Sequence, residues 1–504
     1  MENPCFGGNP AGADNDTALY DAFSGGLFRT DLNAFKEEMI VAKTMTKEEK
    51  YRQMIETPVN LLIPRLAVPT IISMLVTSIY NMADTFFVSQ IGTSASGAVG
   101  VIFSAMAMIQ AVGFTLGMGS GNNISRALGN REEERASAFA ATGFFTAGII
   151  GILFFVFGTM FSQQMVYFLG ATKTIAPYAQ DYARYILIAA PFMMCSFVMN
   201  NILRAQGNAT LAAVGITTGG ILNMILDPLL IFGLGMGISG AAIATMASQM
   251  VSFGILLYQC NCHGDCIKIQ FSCFRPKLKI YGEILHAGLP SFCRQGLASA
   301  AAVVLNFAAG PYGDAAIAAM SIVTRFMMFI NSSLIGFGQG FQPVCGFNFG
   351  AGRYDRVLEA YWFCVKVAVI MLTAFGTAAF LFSRPIITAF RREDLEVIRI
   401  GTLALRLQLL TMPIQAWVIM VNMLTQSIGY GFRASLVAMG RQGLFLIPSL
   451  LIFPKFFGVS GVQIAQPLAD VFTFLLATGI VAGVLKELNT LKKDGCKEEA
   501  GGLQ

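Results

Sequence analysis

The chain has 504 residues, 55% of them hydrophobic and only 12% charged, about half the charged fraction of a soluble protein. Its apolar residues gather into long runs that a water-soluble core does not need, and at about 20 residues per crossing they amount to roughly a dozen membrane spans. The formal charge of +5 calls for no nucleic-acid partner, because Lys and Arg sit mostly in short loops beside those runs.

Residues 1–57 are polar and lack the basic start and apolar core of a signal peptide. They read as a cytoplasmic tail, mostly disordered, with a helix expected around Leu32–Tyr51. Six spans follow at 62–87, 95–119, 136–160, 182–203, 210–232 and 239–259, making an N-lobe over 58–260. A polar linker, 261–281, separates these from a C-lobe over 282–485, with spans at 284–308, 315–340, 358–382, 399–425, 434–453 and 461–485. Residues 486–504 form a charged tail. The fold class is all-α: twelve transmembrane helices in two six-helix bundles.

Basic residues orient the chain. With the N-terminus inside, the cytoplasmic loops hold Arg126, Arg131, Arg135, Arg204, Lys268, Arg275, Lys277, Lys279, Arg353, Arg356, Arg433 and Arg441. The outer loops hold Lys173, Arg384, Arg391, Arg392 and Lys455, with Arg391 and Arg392 the discordant patch. Both termini are therefore expected in the cytoplasm, and the protein in the cell (plasma or inner) membrane.

The ten cysteines are scattered, several inside spans, which is no secreted disulfide framework. The linker gathers Cys260, Cys262, His263, Cys266 and Cys273. Their spacing matches no standard zinc pattern, so free thiols are expected rather than a metal site.

The two halves repeat. Leu66-Ala-Val-Pro69 is echoed by Ala287-Gly-Leu-Pro290, Gly119-Ser-Gly121 by Gly338-Gln-Gly340, and Gly237-Ile-Ser-Gly240 by Gly458-Val-Ser-Gly461. An even number of spans separates partners, so the repeat is parallel and its axis lies along the membrane normal. That duplication is a transporter architecture with a cavity between lobes. A channel, a receptor or a membrane enzyme would not predict it.

One stretch carries chemistry. Asp227 lies inside an apolar run, where an ionised carboxylate costs at least a few kcal/mol unless it faces a polar cavity with partners. Asn223 is one turn earlier on the same face. Pro228 has no N–H and leaves the Met224 carbonyl without its usual partner. The bland reading is a frayed helix end capped near the lipid surface. Orientation argues against it: Asp84 near the end of span 1, Asp227 near the end of span 5 and Thr245 at the start of span 6 come to one depth, with Tyr80 and Tyr182 beside them. Two carboxylates so close cannot easily both ionise without a cation, which is the equipment for coupling to Na+ or H+. Asn200, in span 4, is a further candidate for this network or for substrate.

These residues carry a resemblance. Over roughly 58–485 the chain resembles the multidrug and toxic compound extrusion family. The supporting motifs are Pro69 followed by Asn81-Met-Ala-Asp84, Arg126-Ala-Leu-Gly129-Asn130, Arg204-Ala-Gln-Gly207-Asn208, and Asn223-x-x-x-Asp227-Pro228 leading to Gly240-Ala-Ala-Ile-Ala-Thr245. The resemblance implies cation-coupled efflux of amphipathic, often cationic drugs. No cofactor beyond the coupling ion is expected, and the chain is expected to work as a monomer in the bilayer. In the branch it most resembles, the coupling site maps onto Asp84, Asn223, Asp227 and Thr245. Another branch places acidic cation ligands on spans 7 and 10; here span 7 carries Arg294 and Gln295, and span 10 carries Gln408 and Gln415. The rival reading is a lipid-linked oligosaccharide flippase of the same superfamily, which would want deep basic residues such as Arg325 and Arg406. An enzyme would need a nucleophile–base pair, and with His263 in a loop and His286 at a helix start none is legible.

Overall fold

The computed structural model describes residues 46–262, 267–390 and 394–501. The expected disorder of the first tail residues, most of the Leu32–Tyr51 helix, His263, Cys266, Arg391 and Arg392 lie outside the described residues. The chain divides into two compact units, residues 1–49 and 50–504. In the described part of the first, Thr46 and Glu49 exchange backbone–side-chain hydrogen bonds (2.6 and 3.3 Å), the reciprocal arrangement that starts a helix. That helix is Lys47–Glu56.

The described residues are helical, with no strand among them. Spans 1 to 6 are Val59–Ser89, Ser94–Gly129, Glu133–Met160, Ala176–Ala205, Ala209–Gly233 and Gly237–Cys262. Spans 7 to 9 are Leu278–Tyr312, Ala315–Gly350 and Tyr354–Leu381, and spans 11 and 12 are Gly431–Phe457 and Val459–Asp494. Span 10 is broken: Leu395–Leu410 and Met412–Ser427 meet at 52°, with Pro413 just inside the second piece, where a ring without an N–H is tolerated. Each window is apolar enough to cross lipid, with mean hydropathy between 1.2 and 2.1. The last helix runs on past 485, to Gly501. Glu487 on it bonds Arg433 at the start of span 11 (2.8 Å), so the expected charged tail begins as a continuation of span 12.

The duplication is visible in the backbone. Gly92, Gly207 and Gly237 take positive φ where Gly313, Gly429 and Gly458 do in the second half. Arg131 (φ 60°) stands where the other lobe has Gly352 (φ 73°), a conformation that costs a side chain about 1–2 kcal/mol. Side-chain ties repeat as well. Asn200 Nδ2 donates to the Ala212 carbonyl (2.9 Å) and Asn422 Nδ2 to that of Ala434 (2.7 Å).

The lobes meet along spans 1 and 2 of one and 8 and 7 of the other, through glycines. In lipid there is no hydrophobic drive between helices, and close backbone approach through small residues takes its place. Near the end where span 1 begins and span 12 finishes, Gly129 lies against the Phe347 carbonyl and Gly350 against the Arg126 carbonyl, a reciprocal pair across the pseudo-twofold. A Cβ at either position would collide with backbone. Arg135 bonds Glu283 across the same seam (2.9 Å). The terminal helix crosses beneath it: Lys50 donates to Asn208 (3.0 Å), Tyr51 to the Gly129 carbonyl (3.3 Å), and Asn348 of the C-lobe to the Met54 carbonyl (3.2 Å). This end of the molecule is shut.

Candidate functional site

Span 5 is the keystone of the N-lobe. Small residues let it approach two neighbours at once: Gly215 and Gly219 lie against Leu256 and Ser252 of span 6, and Gly220 against Val76 and Tyr80 of span 1. Directly after Asp227-Pro228 the helix widens into a π turn, Leu229–Gly233, a deformation common at functional sites. Span 6 then starts tight beneath it, because Gly240 has no side chain to strike the Leu230 backbone (2.8 Å from an added Cβ).

The result is that Thr245 comes level with Asn223. The Asn223 amide donates to Thr245 Oγ1 (3.3 Å) and to Asp227 Oδ1 (3.4 Å). Asp227 is fully buried, and Asn223 and Thr245 nearly so. Asp84 and Asp227 lie within electrostatic reach of each other and of the Tyr80 and Tyr182 hydroxyls. Four oxygens in this cluster are buried without a hydrogen bond: Asp84 Oδ1, Asn223 Oδ1, Asp227 Oδ2 and the Tyr182 hydroxyl. An orphaned buried acceptor costs about 1–3 kcal/mol, more when charged, so four at one place ask for a guest. An all-oxygen donor set suits a proton or a hard cation. Asn200, by contrast, has its amide on the Ala212 carbonyl and ties span 4 to span 5.

The linker thiols do not converge. Cys260 is buried with its Sγ toward the Met199 carbonyl, Cys262 is exposed and Cys273 half-buried, all three free. Among the described residues no three of His, Cys, Asp and Glu could hold a metal.

A second buried carboxylate was not singled out from the sequence. Asp470, on span 12, is 1% exposed. It accepts from Arg441 Nε (2.9 Å) and Gln466 (3.1 Å) at Oδ1, and from Gln415 (2.7 Å) and Thr411 (3.2 Å) at Oδ2. Arg441 is therefore no loop residue. It sits in the π turn Gly440–Leu444 within span 11, where burial demands a counter-charge. The legible signal was opposite charges in adjacent spans, and a glutamine one turn before the aspartate, as Asn223 precedes Asp227. Arg325 and Arg406 are exposed, and Arg406 is engaged by Ser383 (2.8 Å) and the Phe380 ring.

The MatE family pattern matches residues 69–229 and again 290–450, two copies offset by 221 residues at both ends. The chain belongs to the MatE family. Similar proteins include the multidrug export protein MepA of Staphylococcus saprophyticus, 27% identical over 423 residues, covering 82% of this chain and 92% of that one. MepA of Staphylococcus aureus is 26% identical over 440 residues, covering 86% and 96%. Among solved structures, the outward-facing conformation of a multidrug-resistance MATE transporter of the MOP superfamily superposes with a TM-score of 0.82 at 27% identity, covering 88% of this chain and 98% of that one.

Proposed function

We propose that this MatE protein is a secondary active multidrug exporter that antiports amphipathic, often cationic compounds against Na+ or H+. The observation that carries the reading is the N-lobe cluster: two carboxylates, an amide and a phenol with unsatisfied buried oxygens at one level. Lys and Arg concentrate at the shut end, which supports reading it as the cytoplasmic end and the conformation as outward-facing. Its likeness to an outward-facing MATE transporter supports the same assignment.

In this state a cation enters from outside and is held by Asp84 and Asp227, with Asn223, Thr245 and Tyr182 completing the oxygen set. Neutralising the paired carboxylates removes their mutual repulsion and lets spans 1, 5 and 6 draw together, the rearrangement that releases cargo outside. The loaded protein opens to the cytoplasm, releases the cation and takes up cargo. Each ligand shifts the balance only by its differential affinity for the two states. The flippase alternative loses support, since Arg325 and Arg406 are exposed and Arg406 is already engaged by Ser383 and the Phe380 ring.

The test is drug uptake into everted vesicles under a Na+ or a proton gradient, for wild type, Asp84→Asn and Asp227→Asn. Uptake driven by one gradient and lowered at least about tenfold in both variants, the equivalent of about 1.4 kcal/mol, is the expected result. Variants that transport like wild type would remove the first-lobe coupling site. No dye moving under either gradient would return the flippase to the front.

A further inference from the structure

The C-lobe holds a cavity of about 270 Å3, near the lower end of small-molecule sites. It lies in the half of the lobe away from the termini, between spans 7, 8, 11 and 12, with span 2 of the N-lobe closing one side. Its walls are of two kinds. Phe103, Met320, Met327, Met328 and Leu446 are apolar and adaptable. Gln110, Gln295, Asn331, Gln408 and Gln466 are neutral amides. Arg441 is the charged lining residue, and no carboxylate is among the lining groups.

The way Arg441 is held decides what this cavity does. Its Nε donates to Asp470 Oδ1 (2.9 Å), and neither terminal nitrogen donates to another described residue. The fork edge is thus left for a guest while the other edge is pinned. Asp470 is not among the lining residues: its oxygens are engaged by Arg441 and Gln466 at Oδ1 and by Gln415 and Thr411 at Oδ2, so the cavity meets the free edge of the guanidinium and not the carboxylate. With both oxygens engaged, it is also closed to a cation. The Asn331 Oδ1 atom is buried without a partner, so the wall still has an acceptor to offer a cargo N–H or O–H.

We propose that this cavity is a cargo subsite for the acidic group of an amphipathic organic acid or zwitterion, with Arg441 as the binding group and Asp470 as the positioning residue. The inference rests on the transport reading above and adds to its amphipathic cargo an acidic group, carried alone or beside a cationic one. Coupling ion and cargo acid then occupy opposite lobes, each facing the polarity that suits it: carboxylates for the cation, a guanidinium for the acid. A planar fork holding a carboxylate by two parallel hydrogen bonds is specific in geometry as well as charge.

The test is equilibrium binding, without any gradient, to the full-length protein in lipid nanodiscs. The probes are dansylglycine and dansylglycinamide, which differ only in carboxylate against carboxamide. Wild type is expected to bind the acid about tenfold more tightly, the increment of a charge-assisted bidentate pair. The double variant Arg441→Gln/Asp470→Asn removes both charges and keeps hydrogen-bonding groups, so no lone charge is left buried. It should bind the amide like wild type and no longer favour the acid. Ala302→Trp, which fills the cavity from span 7, should abolish binding of both. Equal binding of the two probes by wild type, a preference that survives the double variant, or binding untouched by Ala302→Trp would each overturn the subsite. Because no gradient is present, failure here is separate from failure of antiport. Wild-type preference with no gradient-driven transport would leave the subsite and remove the antiporter.

Discussion

Asn223 and Asn200 are both buried amides on neighbouring spans, and their bonds separate them. The Asn200 bond is short and goes to backbone, and Asn422 copies it in the other lobe (2.9 and 2.7 Å). The Asn223 bonds are long, 3.3 and 3.4 Å, go to two other candidate ligands, and leave its oxygen unpaired. Asn200→Ala and Asn422→Ala should therefore behave as twins. Each removes a buried hydrogen bond to a helix carbonyl, costs about 0.5–1.5 kcal/mol, lowers the melting temperature and leaves the cation dependence of transport unchanged. Asn223→Ala should do the reverse, with little change in melting and a rise of about tenfold in the cation concentration for half-maximal transport. If Asn200→Ala also shifts the cation dependence, the cross-tie is part of the site.

At the scale of elements, the N-lobe site exists because span 5 can touch spans 1 and 6 together. Gly240 is the tightest of those approaches near the ligands, and Gly240→Val must lift the start of span 6 off Leu230. Overpacking of this kind costs about 1–3 kcal/mol, and here the displacement carries Thr245 away from Asn223. The expected outcome is loss of cation-dependent stabilisation in a thermal melt, with cation-free melting only modestly lower. Retained stabilisation would mean that Thr245 is not a ligand.

Much of this arrangement was legible beforehand. Span positions follow from apolar runs, and the convergence of Asp84, Asp227 and Thr245 follows from span parity, which fixes depth. The Arg441–Asp470 pair was not read, although both charges stood inside expected spans. A basic residue a few positions past a helix start looks like a loop flank to a charge count, and only the neighbour's carboxylate shows that it is buried. The π turns at Leu229–Gly233 and Gly440–Leu444 were also invisible, because a widened turn leaves no residue signature of its own beyond the proline before the first.

For the molecule as a whole, the question is what holds the lobes together at the end where span 1 begins. The Arg135–Glu283 bridge is half-exposed and worth at most about 1 kcal/mol. The glycine contacts are of another order, since they are backbone against backbone with no room for one carbon. Cys345 reports on them: it is fully buried, a free thiol, and lies between Arg126 of the N-lobe and Ser427 of the C-lobe. Gly350→Val should wedge the seam by about 1–3 kcal/mol and raise labelling of Cys345 by an impermeant maleimide, read residue by residue by mass spectrometry, by about tenfold or more. Arg135→Ala should raise it by less than about fivefold. Unchanged labelling in Gly350→Val would show that the glycine seam is not the gate. Gly129→Val is the pseudo-symmetric partner, placed against the Phe347 carbonyl as Gly350 is against that of Arg126. Equal responses from the two would mean that the lobes part as rigid halves about their common axis. A response from Gly129→Val alone would place the movement inside the N-lobe, where spans 1, 5 and 6 carry the candidate cation ligands.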